Sequence, residues 1–368
     1  MIYFDHNATA PIDKRVLEAM LPYLTTFYGN PSSLYKMGRV VRSAIDTARE
    51  QVAALVDVQP AQIVFTSGGT EANNLALNRV ERSALLATSA IEHPSVSEYS
   101  NQWGNRHLLI PVDKQGLVDI STITNFIQQA NKPKLVSVML ANNETGVIQN
   151  IAEIAGLLKA EKILMHTDAV QAIGKIPVSF PLLSVDLMSL SSHKIYGPKG
   201  CGALVVGKNL TLRPLLMGGG QENGWRPGTE NVAAIVGFGK AAELALMEIE
   251  ARSAHCLGLR RLLEEGLKSI PNVTIFSEQV ARIPNTLQFS VQDIDGEMLL
   301  MQLDRKNIAV SSGSACASGG GKASTVLTAM GVEYQIAKGA VRISLGKGNT
   351  PAEVTQFITV LKSLLCKG

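Results

Sequence analysis

The sequence predicts an α/β protein with a mostly parallel sheet flanked by helices, and three observations support this. Helical patterns, with apolar residues three and four positions apart, alternate with short apolar runs along the first two-thirds of the chain. These runs are apolar throughout, as is typical of strands buried on both faces of a parallel sheet. Each run ends in a polar, glycine-containing cluster, at the sheet edge where α/β proteins bind ligands.

The helical and strand patterns follow one another in chain order. Helical periodicity covers residues 16–24, 40–55, 151–158 and 232–247. Apolar runs of strand length cover residues 62–65, 135–140, 163–166 and 187–190. The strand–helix–strand order implies crossover helices between parallel strands.

The last third of the chain has a different pattern. A long, charged helix is expected over residues 241–263, where it could connect two domains. Residues 285–291 and 340–345 alternate apolar and polar side chains, which predicts an antiparallel sheet solvated on one face. We therefore expect a large domain over residues 13–250 and a smaller α+β domain made of residues 1–12 and 251–368.

Composition excludes several classes of function. The 34 Lys+Arg and 31 Asp+Glu residues give a net charge of +3, too small for a nucleic-acid-binding surface. Residues 1–6 lack the basic and apolar regions of a signal peptide, and no apolar run is long enough to span a membrane. The four cysteines at positions 201, 256, 316 and 366 are too far apart for a CxxC pair or a zinc site, which predicts reduced thiols and a cytoplasmic location.

Three strand-end clusters have both a functional and a structural interpretation. Gly68-Gly69-Thr70 leads from a strand into a helix, which suits a phosphate group but also suits a simple turn with Thr70 as the helix cap. Residues 142–146, Asn-Asn-Glu-Thr-Gly, offer ligand-binding amides or ordinary turn chemistry. Asp168 and Gln171 fit a ligand site or a variant of the helix capping box.

A fourth cluster, over residues 189–200, favours the functional interpretation. It places Ser191, His193 and Lys194 at one strand end, before a turn rich in Gly and Pro. The 26 positions between Asp168 and Lys194 allow one helix and a neighbouring parallel strand, so we expect an amine, a carboxylate and phosphate-binding groups to meet at one sheet edge. Pyridoxal phosphate (PLP) requires this combination: a lysine for its aldehyde, an acid for its ring nitrogen and a phosphate site.

Eight motifs between residues 5 and 316 also carry a family resemblance. They are DHNAT (5–9), GNPSS (29–33), SGGTE (67–71), EH (92–93), NNETG (142–146), HKIYGPKG (193–200), GGGQE (218–222) and SSGSAC (311–316). In this order the chain resembles the cysteine desulfurases of the NifS/IscS type. The resemblance implies a fold-type I, class-V aminotransferase-like PLP enzyme that is a homodimer, takes sulfur from L-cysteine and releases L-alanine.

The resemblance also implies roles for individual residues. Lys194 would form the Schiff base and then move protons, His93 would stack on the pyridine ring, and Asp168 would pair with the ring nitrogen. Asn143 and Gln171 would approach the ring hydroxyl or the substrate, and Arg342 would bind the substrate carboxylate. The phosphate would be held by Gly69, Thr70, Ser191, His193 and, from the partner subunit, Thr229.

Cys316 is surrounded by Gly, Ser and Ala over residues 311–322, which predicts a thiol on a mobile tether rather than a packed core residue. Its thiolate would attack the substrate sulfur and carry a persulfide to an acceptor. The resemblance implies a protein acceptor, either an iron–sulfur scaffold or a tRNA-thiolating enzyme.

Other functions fit the sequence less well. Residues 237–242 match the G-x-G-x-x-A dinucleotide fingerprint, but they lie within a helix, where close helix packing explains the glycines better. The six histidines form no HxH or HxxxH pair, so no metal site is expected. A protein without catalytic activity is disfavoured because every expected position carries the expected residue type. A selenocysteine lyase or a class-V aminotransferase remains the main alternative; the latter has no use for Cys316.

Overall fold

The computed structural model describes residues 1–312 and 323–365, and these form thirteen strands and twelve α-helices. The strands are β1 (Ile2–Tyr3), β2 (Ile63–Thr66), β3 (Leu86–Ser89), β4 (His107–Ile110), β5 (Leu135–Ser137), β6 (Leu164–Asp168), β7 (Leu187–Ser191), β8 (Gly202–Val206), β9 (Val273–Ile275), β10 (Thr286–Val291), β11 (Ile308–Ala309), β12 (Ser311–Ser312) and β13 (Ala340–Ser344). The helices are α1 (Lys14–Thr25), α2 (Lys36–Leu55), α3 (Gly69–Leu77), α4 (Pro94–Ser100), α5 (Ile120–Gln128), α6 (Ile151–Ala160), α7 (Phe180–Leu183), α8 (Val232–Lys268), α9 (Gly296–Asp304), α10 (Thr325–Ala329), α11 (Tyr334–Lys338) and α12 (Pro351–Leu365).

The large sheet has seven strands in the order β2-β8-β7-β6-β5-β3-β4. Only β8 runs against its neighbours in this sheet. Alternate residues of one strand enter different apolar clusters: Ile63 and Phe65 belong to one, and Val64 to the other. Both faces of the sheet are therefore covered, which explains the continuous apolar runs and confirms the predicted α/β fold.

The small sheet, β12-β13-β10-β9, is antiparallel as expected, but the expectation of one solvated face is wrong. Every residue of β10 and β13 is buried. The polar side chains of these strands face other protein groups instead of water. Gln288 Nε2 donates to Glu144 Oε2 over 3.1 Å, and Arg342 Nη1 donates to the Asn143 carbonyl over 3.0 Å. The alternating pattern thus marks a face that packs against the large sheet.

Helix α8 contributes side chains to a core of the large sheet and to the core of the small sheet. Phe238, in its first half, packs in the core of the large sheet, and Leu259 and Leu263 pack in the core of the small sheet. A Cβ atom on Gly237 would lie 2.6 Å from Met20 Sδ, and one on Gly239 would lie 2.6 Å from Ala48 Cα. These glycines therefore allow α1 and α2 to pack closely on α8, which explains the dinucleotide-like pattern.

The first residues of the chain pack beside the last strands. Strand β1 pairs with β11 in parallel, and the Asn7 backbone N–H donates to Ser344 Oγ over 2.9 Å. Residues 5–9 then pass between the two sheets. Among the described helices, none combines the length and the apolar character that crossing a membrane requires.

Candidate active site

A cavity of about 280 Å³ lies at the carboxyl ends of β2, β6 and β7. Nine of the ten predicted cofactor residues line it: Gly69, Thr70, His93, Asn143, Asp168, Gln171, Ser191, His193 and Lys194. The structure thus brings together residues from five separate segments. The tenth, Thr229, is exposed and does not line the cavity of its own chain.

One end of the cavity is suited to an anion. Gly69 and Thr70 begin α3, so their backbone N–H groups have no partner within the helix. The Ser191 hydroxyl lies nearby, buried and without a hydrogen-bond partner among the described residues. A Cβ atom on Gly69 would lie 3.0 Å from Val170 Cγ2, so glycine keeps this end of the cavity open. A phosphate group fits this set of donors.

Asp168 is the last residue of β6, and both oxygens of its carboxylate are fixed by hydrogen bonds. Oδ1 accepts from Val170 N over 2.9 Å, and Oδ2 accepts from Asn73 Nδ2 over 2.7 Å. Gln171 does not reach back to Asp168, since its Nε2 donates to the Asn7 carbonyl over 3.0 Å. The capping-box interpretation is therefore wrong, and Asp168 is available to a protonated ring nitrogen.

Asn73 and Ser95 are site residues that the sequence analysis missed. The amide of Asn73 joins Asp168 to Ser95, because its Nδ2 also donates to Ser95 Oγ over 2.8 Å. Ser95 Oγ in turn lies 2.8 Å from His93 Nδ1. One signal for Asn73 was present in the sequence: it follows Thr70 by one helical turn and so shares the face of α3 that begins at the cavity.

His93 is held in one tautomer by the start of a helix. It is the N-cap of α4, and its Nδ1 accepts the Ser95 backbone N–H over 3.1 Å. A ring nitrogen that accepts carries no proton, so the neutral ring carries its proton on Nε2. Burial, reinforced by Lys194 and opposed by Asp168, lowers the pKa of His93 below its ordinary value. The ring is therefore neutral near pH 7 and able to pack against an aromatic ligand.

Lys194 lies in a single helical turn that follows β7. Its Nζ contacts the carbonyl oxygens of Asn7 and Ala8, the latter over 2.8 Å. The preceding residue, His193, contacts Thr9 Oγ1 through its Nδ1 over 3.1 Å. Burial and nearby lysines lower the pKa of His193 to about 4. The segment over residues 7–9 therefore forms one wall of the site, a contribution that its sequence did not predict.

Arg342 and Asn143 lie where the two sheets meet. Arg342 is only 2% exposed, which rules out a surface arginine. Its Nη1 donates to the Asn143 carbonyl over 3.0 Å, and its Nη2 forms an ion pair with Asp5 over 2.7 Å. Arg342 does not line the cavity, but it lies beside Asn143, which does.

Cys316 lies outside the described residues, but the chain on both sides of its segment is anchored near the site. Before it, Ser311 pairs with Arg342 across β12 and β13. After it, Ser324 Oγ donates to Glu144 Oε2 over 2.5 Å. Burial raises the pKa of the Glu144 carboxyl to about 7, although Ser324, Arg342 and Gln288 act against the rise.

Two of the other three cysteines lie within the described residues. Cys201 and Cys256 are buried free thiols, and burial raises their pKa values, that of Cys256 to about 11. Cys366 lies outside the described residues. No group of three or more His, Cys, Asp or Glu side chains suited to a metal ion occurs in residues 1–312 and 323–365.

The model of the aminotransferase class-V family matches residues 2–357 of this chain. The chain belongs to this family. Two similar curated relatives are named cysteine desulfurase IscS. The one from Methanosarcina thermophila is 43% identical and aligns with 100% of this chain and 92% of its own length. The one from Dictyoglomus turgidum is 40% identical and aligns with 100% of this chain and 95% of its own.

Solved structures agree with these relatives. A NifS-like protein from Rickettsia africae superposes with a TM-score of 0.93 at 40% identity, covering 99% of each chain. Another NifS-like protein gives a TM-score of 0.93 at 38% identity over both whole chains. The expected resemblance to the NifS/IscS type of class-V family member is therefore confirmed, together with the fold that it implied.

Proposed function

We propose that this protein is a PLP-dependent cysteine desulfurase. It takes L-cysteine, releases L-alanine and leaves the sulfur as a persulfide on Cys316. One observation carries the proposal: the anion-binding donors at Gly69 and Thr70, the Asp168 carboxylate and the Lys194 amine line a single cavity. The names of the relatives support the same activity.

The residues that line the cavity support PLP as its ligand. The first turn of α3 and the Ser191 hydroxyl would hold the phosphate, and Asp168 would hold the protonated ring nitrogen. The neutral His93 ring would pack against the pyridine ring. When bound, PLP supplies an electron-withdrawing ring that stabilises negative charge on the substrate α-carbon. Lys194 would attach the cofactor and then accept the α-proton of cysteine at Nζ.

Arg342 and Asn143 would orient the substrate, with the guanidinium facing its carboxylate. Cys316 would attack the substrate sulfur as a thiolate, so that an S–S bond forms while the substrate C–S bond breaks. The electron pair of the C–S bond stays on the carbon fragment, which takes up protons and leaves as alanine. Every atom of cysteine and the thiol is accounted for, so this step needs no oxidant.

Three further parts of the proposal concern partners and location. Thr229 is exposed and away from its own cavity, which supports a homodimer in which it reaches the phosphate of the partner's site. The acceptor of the persulfide would be a protein, either an iron–sulfur scaffold or a tRNA-thiolating enzyme. Two buried free thiols, Cys201 and Cys256, support a reducing compartment such as the cytoplasm.

Replacement of Cys316 tests the proposal directly. In the Cys316→Ala variant we expect alanine release from cysteine to be abolished while the yellow colour of the bound cofactor is retained. Borohydride should fix the cofactor on Lys194 in both proteins, which peptide mass spectrometry would detect. Cys256→Ala is the matched control and should keep its turnover. A colourless protein that forms no borohydride adduct, or full turnover without Cys316, would overturn the proposal. A preference for selenocysteine over cysteine as substrate would instead indicate a selenocysteine lyase, and transamination would indicate an aminotransferase.

A further inference from the structure

Lys175 is a buried lysine beside the cavity, and the proposed reaction does not use it. Lys175 is only 9% exposed to solvent, and its Nζ donates hydrogen bonds to two oxygens. One is Gln171 Oε1, over 2.6 Å, and the other is Asn7 Oδ1, over 2.9 Å. Within the described part of the chain no carboxylate forms an ion pair with it. A buried amine that meets only amide oxygens calls for an explanation.

The two acceptors match a neutral amine. A neutral lysine has two N–H groups, and Gln171 and Asn7 take one each. An ammonium ion would bring a third N–H and a charge into a site that is already near Lys194 and Arg342. Burial first, and then these two cations, lower the pKa of Lys175 well below its ordinary value. Lys175 is thus a donor fixed in place by two partners.

The contacts with Lys175 and with the Asn7 carbonyl together determine which way the Gln171 amide faces. Gln171 Oε1 accepts from Lys175, and Nε2 donates one of its two hydrogens to the Asn7 carbonyl. A reversed amide would place its oxygen against the Asn7 carbonyl oxygen and its NH₂ group against the Lys175 donor. Because Gln171 also lines the cavity, the second N–H of Nε2 is the group left to serve a ligand there.

We propose that Lys175 is a positioning residue, which fixes the Gln171 side chain so that its NH₂ group faces the ring hydroxyl of the cofactor. The inference rests on the proposed function and deepens it. An N–H at that point stabilises the ionised form of the ring oxygen, which accepts hydrogen bonds only. Lys175 itself touches neither cofactor nor substrate; it acts through Gln171.

A double-mutant cycle separates this role from a general structural one. PLP is titrated into apo protein for the original sequence, Lys175→Met, Gln171→Ala and the double variant, and the absorption band of the bound cofactor is recorded. Each single change should weaken PLP binding about fivefold to tenfold, as expected for one hydrogen bond. The double variant should bind as Gln171→Ala does, because Lys175 then has no amide to fix.

The absorption band gives a second readout. Lys175→Met should shift it in the same direction as Gln171→Ala and should cause no further shift in the double variant. Lys208→Met, at an exposed lysine that follows β8 and does not line the cavity, is the matched control and should leave affinity and band unchanged. Lys175→Gln, which keeps an N–H donor, should lose less affinity than Lys175→Met.

Thermal unfolding of the apo proteins shows whether the variants fold, and should Lys175→Met fail to fold, Lys175→Gln serves in the same cycle. Losses of affinity that multiply in the double variant, or an unchanged band in Lys175→Met, would overturn the role of Lys175 and leave the proposed function standing. Failure of the original protein to bind PLP would overturn the proposed function, and this inference with it.

Discussion

The two ends of the active site are built in different ways. The cofactor half, as we name the part proposed to bind the cofactor and represented by Thr70, Asp168 and Lys194, lies at strand ends of one sheet, where each residue follows directly from its own strand or turn. The substrate half, as we name the part proposed to bind the substrate and represented by Asn143 and Arg342, forms where the two sheets meet. The first is set by local structure and the second by packing between distant segments.

Asn7 holds the substrate half together. Its Nδ2 donates to the Asn143 carbonyl over 3.1 Å and to Thr286 Oγ1 over 2.8 Å. Its Oδ1 accepts from Lys175 and from Asn285. A single side chain thus connects the N-terminal segment, the large sheet and the small sheet. The comparison teaches that changes in the cofactor half should act on chemistry, whereas changes in the substrate half should act on substrate affinity.

The largest effect is expected in the cofactor half, at Asp168. Asp168→Asn keeps the size of the side chain but removes the charge that we propose as the partner of the ring nitrogen. We expect kcat to fall about 10³-fold, or about 4 kcal/mol of transition-state stabilisation, with a much smaller change in KM for cysteine. Steady-state kinetics with alanine as the measured product check this.

Asp186→Asn is the matched control. Asp186 accepts the backbone N–H of Met165 near the start of β6, whereas Asp168 is the last residue of that strand. Asp186 does not line the cavity. Its kcat should stay within about twofold of the original value, because this side chain does not line the cavity. Equal losses in the two variants would mean that the sheet, and not the charge of Asp168, is responsible.

A smaller effect of a different kind is expected in the substrate half, at Arg342. Arg342→Ala removes a charged donor pair, and the KM for cysteine should rise about 10- to 100-fold, equivalent to about 1.5–3 kcal/mol. Because Arg342 lies in the other sheet, PLP affinity should change little. Kinetics and PLP titration on the same samples measure both quantities.

Arg261→Ala, at an exposed arginine of α8, is the control for loss of charge and should leave KM unchanged. Unfolding curves are needed alongside, since Arg342→Ala also leaves Asp5 without its ion-pair partner. A variant that lost PLP affinity as strongly as cysteine affinity would erase the distinction between the two halves.

The smallest net effect concerns pH, because the two halves should respond to it in opposite directions. Burial lowers the pKa of His166, in β6, to about 3, below the 6.5 of an unfolded histidine, so its contribution to stability is full above pH 6.5 and is lost as pH falls toward 3. Glu144 has its pKa raised to about 7 from 4.5, so its contribution is full below pH 4.5 and is lost as pH rises toward 7. Each change is about 2 kcal/mol between pH 5 and 7, so the two nearly cancel.

Unfolding by denaturant at pH 5 and pH 7 tests this balance. His166→Gln should make the protein lose stability as pH rises over this range, because the Glu144 contribution then acts without its counterpart. Glu144→Gln should make stability rise with pH over the same range. The same pH dependence in both variants would show that neither group titrates as described.

The sequence predicted the cofactor half better than the substrate half. Thr70, Asp168 and Lys194 each follow an apolar run, so the rule that strand ends meet at one sheet edge brings them together. Asn73 was within reach of the same reasoning through helical periodicity. His93 was identified only through the family resemblance, since a histidine before a proline is more often a helix cap, and here it is a cap as well.

The substrate half could not be derived from local patterns. The alternation in β13 predicts two faces but does not say whether the polar one meets water or protein, so Arg342 alone carried no signal of burial. The contacts of Asn7 and Lys175 depend on residues far away in the chain. These side chains can be recognised as site residues only from the tertiary structure, which shows which distant residues they contact.

The N-terminal segment has a consequence for how the protein is made. Asn7 and Asp5 are synthesised more than 300 residues before Ser344 and Arg342, the residues to which they bind. Until Ser344 and Arg342 have been synthesised, the segment over residues 7–9, which contacts Lys194, lacks its contact with β13 of the small sheet to hold it in place. A growing chain can form the large sheet but not the finished pocket. Productive loading with the cofactor should therefore follow the synthesis of the small sheet.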